Sequence, residues 1–235
     1  MYTKKHAAGL AVSNSPFGPF KEISENPLLE NEFGVVDPHV FEDSKTGHVY
    51  IIWKSENNVE DKPSNIYIRR MEYSGFNFKG WSPTFLILTA DMEEERNMVG
   101  GPWMIKRREM YYLFYTVNWF NVPEHSVKVA RSSSISGPFE KFDESVVQTD
   151  WNRYKQHVNC TFEGPGHASV VQDDNDDFWL VYHAWSYQQT GQSSSPGRMM
   201  LLDKLIWDSQ DWPAVVSQGT PSDTAQIKPI IKRKK

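Results

Sequence analysis

A chain of 235 residues with 25 Lys+Arg against 30 Asp+Glu carries a formal charge of -5, and that acidic balance argues against a nucleic-acid partner, which leaves a basic footprint. No apolar run approaches the roughly 18 residues of a helical span, the opening Met1-Tyr2-Thr3-Lys4-Lys5-His6 lacks a secretory pattern, and the single Cys160 excludes an internal disulfide or a multi-cysteine metal site; we therefore expect no membrane partner, and a packed thiol rather than a nucleophile at Cys160. The excess is aromatic, with 9 Trp, 10 Tyr and 13 Phe beside 14 Gly and 14 Pro, a composition of many short strands and turns that predicts an all-β fold.

In chain order, the first element is a short strand, Leu10-Ala11-Val12-Ser13, running into a Ser-rich turn and a Gly18-Pro19-Phe20 corner. It aligns without gaps on Val129-Ala130-Arg131-Ser132 and the Gly137-Pro138-Phe139 corner. Next, Asp37-Pro38-His39-Val40-Phe41 leads through a polar turn at residues 42–47 to Tyr50-Ile51-Ile52-Trp53. Ala90–Asn97 forms a helical turn at most, and its acidic run reads as a solvated connector. Gly101-Pro102-Trp103-Met104-Ile105 then leads through residues 106–109 to Tyr111-Tyr112-Leu113-Phe114-Tyr115, and Gly164-Pro165-Gly166-His167-Ala168 through the acidic turn 173–177 to Phe178-Trp179-Leu180-Val181-Tyr182. The three prolines recur 64 and 63 residues apart. A unit of strand, turn, aromatic strand and further strands, repeated at this length, predicts the blades of a β-propeller. Met1-Tyr2-Thr3 matches Phe114-Tyr115-Thr116, so the chain is expected to start inside a blade and to carry about three and a half blades of a longer propeller. The propeller is expected over residues 1–222, and residues 223–235 as a basic, solvated tail.

Those motifs together resemble glycoside hydrolase family 43. They are Val36-Asp37-Pro38-His39, Gly101-Pro102-Trp103 before the Tyr111–Tyr115 strand, Gly166-His167-Ala168-Ser169-Val170-Val171 before Trp179–Ala184, and Gly197-Arg198-Met199-Met200 followed by Trp207-Asp208. The resemblance covers residues 9 to about 221 in the family's order. It implies a five-bladed β-propeller, N-terminally truncated by its first blade and most of its second, and inverting hydrolysis of arabinofuranosyl or xylosyl linkages in polysaccharides. It also implies an arabinose- or xylose-containing oligo- or polysaccharide as the partner, no required cofactor, an optional structural calcium and a secreted protein.

An inverting glycosidase needs two carboxyl groups roughly 6.5–9.5 Å apart, an acid for the leaving oxygen and a base for the attacking water. By the resemblance, Asp37 is a third carboxylate that keeps the acid's pKa high; read alone it is equally a turn aspartate before a proline. The position of the general acid Glu is Gly100, which has no proton to give, and Glu93, Glu94 and Glu95 lie too far upstream to replace it. The base belongs to a first blade with no counterpart here. Glu163, in Phe162-Glu163-Gly164-Pro165, imitates the acid's motif but falls in the next blade. Arg198, beside the Ser193–Gly197 loop, is implied to bind the sugar, with a surface ion pair as the alternative. His167 is the axial histidine and, in some members, a calcium ligand; a satisfied core histidine is the other reading. Trp103, and Trp185 after it, are candidate stacking faces. The acidic turn 173–177 lacks the glycine and glutamate of a calcium loop and reads as a hairpin turn. The chain is thus expected to be a family-43-type hydrolase impaired because Gly100 replaces the general acid and the base-bearing blade is absent. The alternatives are a non-catalytic glycan-binding propeller, a protein-interaction propeller, and a substrate-trapping replacement of Glu at residue 100.

Overall fold

Each proline-headed segment becomes the first strand of a four-stranded antiparallel meander in the structure, a computed structural model that describes residues 5–156, 160–192 and 197–232. The Met1-Tyr2-Thr3 match, residues 193–196 of the loop beside Arg198, and residues 233–235 of the tail lie outside the described residues. A two-stranded sheet comes first, β1 (Ala11–Val12) with β2 (Lys21–Glu22). The Pro38 sheet follows with β3 (Val35–Asp43), β4 (His48–Ser55), β5 (Asn65–Arg70) and β6 (Thr84–Thr89). The Pro102 sheet has β7 (Val99–Arg107), β8 (Met110–Val117), β9 (Ser126–Ser132) and β10 (Glu140–Lys141). The Pro165 sheet has β11 (Phe162–Gln172), β12 (Phe178–Ser186), β13 (Arg198–Trp207) and β14 (Pro213–Val215).

The aromatic strands β4 and β8 are continuous apolar runs because both faces of their sheets are covered, so alternation sends successive side chains into different cores. In β8, Leu113 and Tyr115 pack with Phe41, Ile52, Ile66 and Ile68 of the Pro38 sheet. Their neighbours Tyr112 and Phe114 pack the other way, with Val170, Leu180 and Tyr182 of the Pro165 sheet. β4 divides likewise: Ile52 joins the first of these cores, while Ile51 and Trp53 join Leu29, Val35 and Met71 on the side of the two-stranded sheet. Leu113, Phe114 and Leu180 are fully buried, and each such side chain contributes about 1.5–3 kcal/mol by leaving water.

The two aligned corners have the same backbone. Gly18 and Gly137 sit at φ 79° and 84°, and in each a Cβ would fall 3.2 Å from the backbone nitrogen of the following phenylalanine. One expectation needs correcting. Residues 90–97 are bends and turns, because the Asp91 carboxylate takes the N–H groups of Glu93 and Glu94 and competes with helical bonding. A short helix, α1 (Trp151–Gln156), forms elsewhere. The described tail residues are mostly exposed, and one point of the tail is anchored. Asp173 accepts the N–H of Ile230 at 3.0 Å, and the Ile230 carbonyl accepts the N–H of Asp174, so the tail is bonded to the acidic turn. The same Asp173 carboxylate takes the N–H groups of Asn175 and Asp177, as a hairpin turn requires.

Candidate functional site

The innermost strands β3, β7 and β11 share one irregularity. Pairing register shifts at Val36/His39, Gly100/Trp103 and Glu163/Gly166, each time across the repeated proline. The residue before each proline is left-handed: Asp37 at φ 54°, Gly101 at 52°, Gly164 at 57°. Glycine adopts this conformation without strain, and two blades use it. The Pro38 sheet holds an aspartate there, at a cost of order 1–3 kcal/mol. The bulge turns its carboxylate towards the next blade, where Oδ2 accepts the N–H of Gly101 at 2.9 Å.

Gly100 lies against that carboxylate. A Cβ built on it would sit 3.2 Å from Asp37 Oδ2 and 3.4 Å from the Lys54 side chain. Its φ is not in the left-handed region, so the backbone accepts a side chain. Any side chain at residue 100 therefore starts beside Asp37. Lys54 itself is almost fully buried at the end of β4; burial pulls its pKa down, against the pull of the Glu56 and Asp37 carboxylates. Sequence reading missed this lysine. The signal was present, since a cation inside Tyr50-Ile51-Ile52-Trp53-Lys54 occupies an inward position of an otherwise apolar strand.

On the other side, Gly101 closes on the third blade: its Cβ would lie 3.3 Å from the His167 ring. His167 is exposed and itself left-handed, at φ 49°. Behind it His125 and His183 stack with ring centroids 5.5 Å apart. His125 Nδ1 bonds the carbonyls of Val117 and Asn118, and its ring fills the space that a Cβ on Gly166 would need. Burial lowers the His125 pKa to about 4 and the His183 pKa to about 3, with neighbouring imidazoles and Arg198 adding to the effect. Both rings are therefore neutral near pH 7. Arg198 opens β13, exposed, with NH1 3.5 Å from His183 Nε2 and its guanidinium 5.3 Å from the Phe120 ring centroid. Asp37, Gly100 and His167 are thus linked contact by contact, and Arg198 stands beside the histidines.

The other candidates are engaged elsewhere. Trp103, expected as a sugar-stacking face, is wedged between sheets: its ring stacks on His39 at 4.2 Å and its N–H donates to the Val170 carbonyl. Trp185 is buried, with its N–H on the Phe120 carbonyl. Glu163, equivalent in register to Gly100, is buried and accepts both the N–H and the hydroxyl of Thr190. Glu95 is buried in the connector and accepts from Tyr115 Oη, Asp91 N–H and Lys141 Nζ, so it is a structural residue. Cys160 is a buried thiol whose pKa is raised by burial. A calcium ion fits poorly. His167 offers a single imidazole, whereas calcium requires six to eight oxygens, and among the described residues no group of three or more His, Cys, Asp or Glu could hold a metal.

Comparison with known proteins places this geometry. The model of glycosyl hydrolases family 43 matches residues 1–213. A β-D-galactofuranosidase, xynD, of Aspergillus niger is 23% identical over 217 residues, which are 85% of this chain and 53% of that protein. A β-xylosidase of Bacillus subtilis is 25% identical over 154 residues, 56% of this chain and 28% of that protein. The chain thus spans about half or less of the length of these relatives. The crystal structure of a thermostable family-43 glycoside hydrolase superposes with a TM-score of 0.77 at 27% identity, covering 95% of this chain and 70% of that one. The fold is that of the five-bladed β-propeller, with three whole sheets here as blades and the two-stranded sheet as part of another.

Proposed function

The chain belongs to glycosyl hydrolase family 43, and from that membership we propose that its site descends from inverting hydrolysis of arabinofuranosyl or xylosyl linkages and, as it stands, hydrolyses them poorly for want of a proton donor at Gly100 and of the base that a first blade would supply. In this reading Asp37 is the carboxylate that would tune a neighbouring acid, Arg198 and His167 are groups that bind the sugar, and Gly100 is the vacated acid. The observation that carries it is the 3.2 Å from a built Cβ at Gly100 to Asp37 Oδ2. A carboxyl group growing from residue 100 would share its surroundings with a carboxylate, which disfavours ionisation and keeps a proton available to a leaving oxygen. Removing a positioned acid of this kind typically costs about 10²–10⁴-fold in rate.

A second reading, a glycan-binding propeller without catalysis, rests on Arg198, which stands exposed beside His183 and Phe120 and needs no acid to hold a sugar. Titration of xylobiose and arabinobiose into the chain, with chromatography of the same mixtures, tests the proposal. It expects heat of binding with product formation at or near background. Turnover at the rates of an intact glycosidase contradicts it, and so does the absence of binding by either sugar.

A further inference from the structure

At the end of the Pro38 sheet opposite Asp37 lies a cavity of about 320 Å³, bounded by Tyr50, Ile68, Arg70, Lys79, Phe85 and Ile135 among others. Tyr50 pairs with Arg70, whereas the site end of β4 is Lys54, four residues on, or about 13 Å along a strand. The cavity is therefore separate from the site described above. It is closed on one side by Ile135 and Ser136 from the corner of the next blade.

Its lining has one sign of charge. Arg70 and Lys79 contribute two cations and no acidic residue lines it, in a protein whose net charge is -5. The acid close behind, Asp43, is already held by Lys106 Nζ and Tyr111 Oη. Arg70 Nε is buried without a hydrogen-bond partner, a state that costs free energy until an acceptor arrives. The neighbouring Arg69 turns its guanidinium to the other face of the strand, 3.9 Å from the Phe78 ring centroid, with Nε 3.4 Å from Ser82 Oγ. Burial raises the Tyr50 pKa, so its phenol stays a donor. The rest of the wall is apolar and flat: Ile68, Pro83, Phe85 and Ile135, with Phe85 part-exposed.

We propose that this inter-blade cavity is a second, non-catalytic binding site for an aromatic carboxylate. The carboxylate would sit on Arg70 and Lys79 and the ring between Phe85 and Ile135. A uronic acid carries the same charge, but its hydroxyls would be desolvated against Ile68, Pro83 and Ile135 with only two serines to meet them. An aromatic acid loses no such hydrogen bonds.

Ligand-detected NMR on the full chain, with cinnamate, cinnamyl alcohol and glucuronate as probes, tests the assignment. Cinnamate should bind at millimolar concentration or below, and the neutral alcohol about 10-fold or more weakly, the scale of a charge-assisted hydrogen bond. Arg70→Met should weaken cinnamate by a similar factor. Because Arg70 is half-buried, the exposed Lys79→Met and Phe85→Ala provide the same reading without disturbing the strand, and Phe85→Ala should weaken cinnamate. No cinnamate binding, equal binding of the alcohol, glucuronate binding as tight as cinnamate, or cinnamate binding indifferent to all three substitutions would each overturn the proposal.

Discussion

His39, His125 and His183 are buried or half-buried imidazoles with pKa values lowered by burial to about 4, 4 and 3. In the unfolded chain each titrates near 6.5. Between pH 6.5 and about 4 the unfolded state therefore binds protons that the folded state does not, and stability falls as pH falls through that window. Asp43 behaves differently. Burial pushes its pKa up, but Lys106, the Lys45 N–H, Tyr111 and Thr46 together pull it down to about 2, so its contribution is lost only below pH 4. Urea unfolding from pH 7 to 4 should show a declining free energy, and His125→Asn should flatten the decline by about one proton, roughly 1.4 kcal/mol per pH unit. An unchanged slope in that variant would contradict the neutral-histidine assignment. At this scale legibility was uneven. Asp37 and Gly100 announced themselves by their place before a repeated proline, and the bulge explains why that place matters. His125 sits in a loop with no periodicity to mark it; only the contact with Gly166 reveals its role.

The elements meet through a small number of polar ties set in apolar seams. Asp43 at the end of β3 accepts from Lys106 Nζ on β7 at 2.9 Å and from Tyr111 Oη on β8 at 2.9 Å, all largely buried. Removing one partner strands the other charge in the seam, so Lys106→Met should cost about 3–5 kcal/mol. Asp43→Asn combined with Lys106→Met should recover a large part of that loss in chemical denaturation; additive losses would mean the pair is not coupled. The strands themselves were readable, since the aromatic runs and the turns at 42–47, 106–109 and 173–177 reappear as hairpins. What the sequence concealed was long-range: Lys106 reads as a turn lysine, and its partner lies 63 residues away. Trp103 was misplaced for a related reason. A large aromatic beside a site motif serves packing or a ligand equally well, and only the His39 stack and the Val170 carbonyl decide which.

For the whole molecule, the sheet faces that no other described residue covers carry apolar side chains. Met200 is 80% exposed and Leu202 38% on β13, and Phe85 and Leu86 are part-exposed on β6. Exposed apolar surface beside open strand edges favours association, so the 235-residue chain should sediment as oligomers at micromolar concentration; a monodisperse monomer would contradict this. The fold was legible because proline spacing and paired Gly-Pro-Phe corners are signals spread over the whole chain. Catalytic competence is a local matter by comparison: it needs an acid at residue 100 and a base from a first blade that this chain does not carry. The most direct measurement is therefore, with a base-bearing first blade supplied to both proteins, the rate of Gly100→Glu against the unmodified sequence on xylobiose and on an aryl xyloside with an activated leaving group. We predict a gain of about 10²–10⁴-fold on xylobiose and a much smaller one on the aryl substrate, whose leaving group needs little protonation. Equal rates for the two proteins on xylobiose would contradict the assignment of residue 100 as the vacated acid.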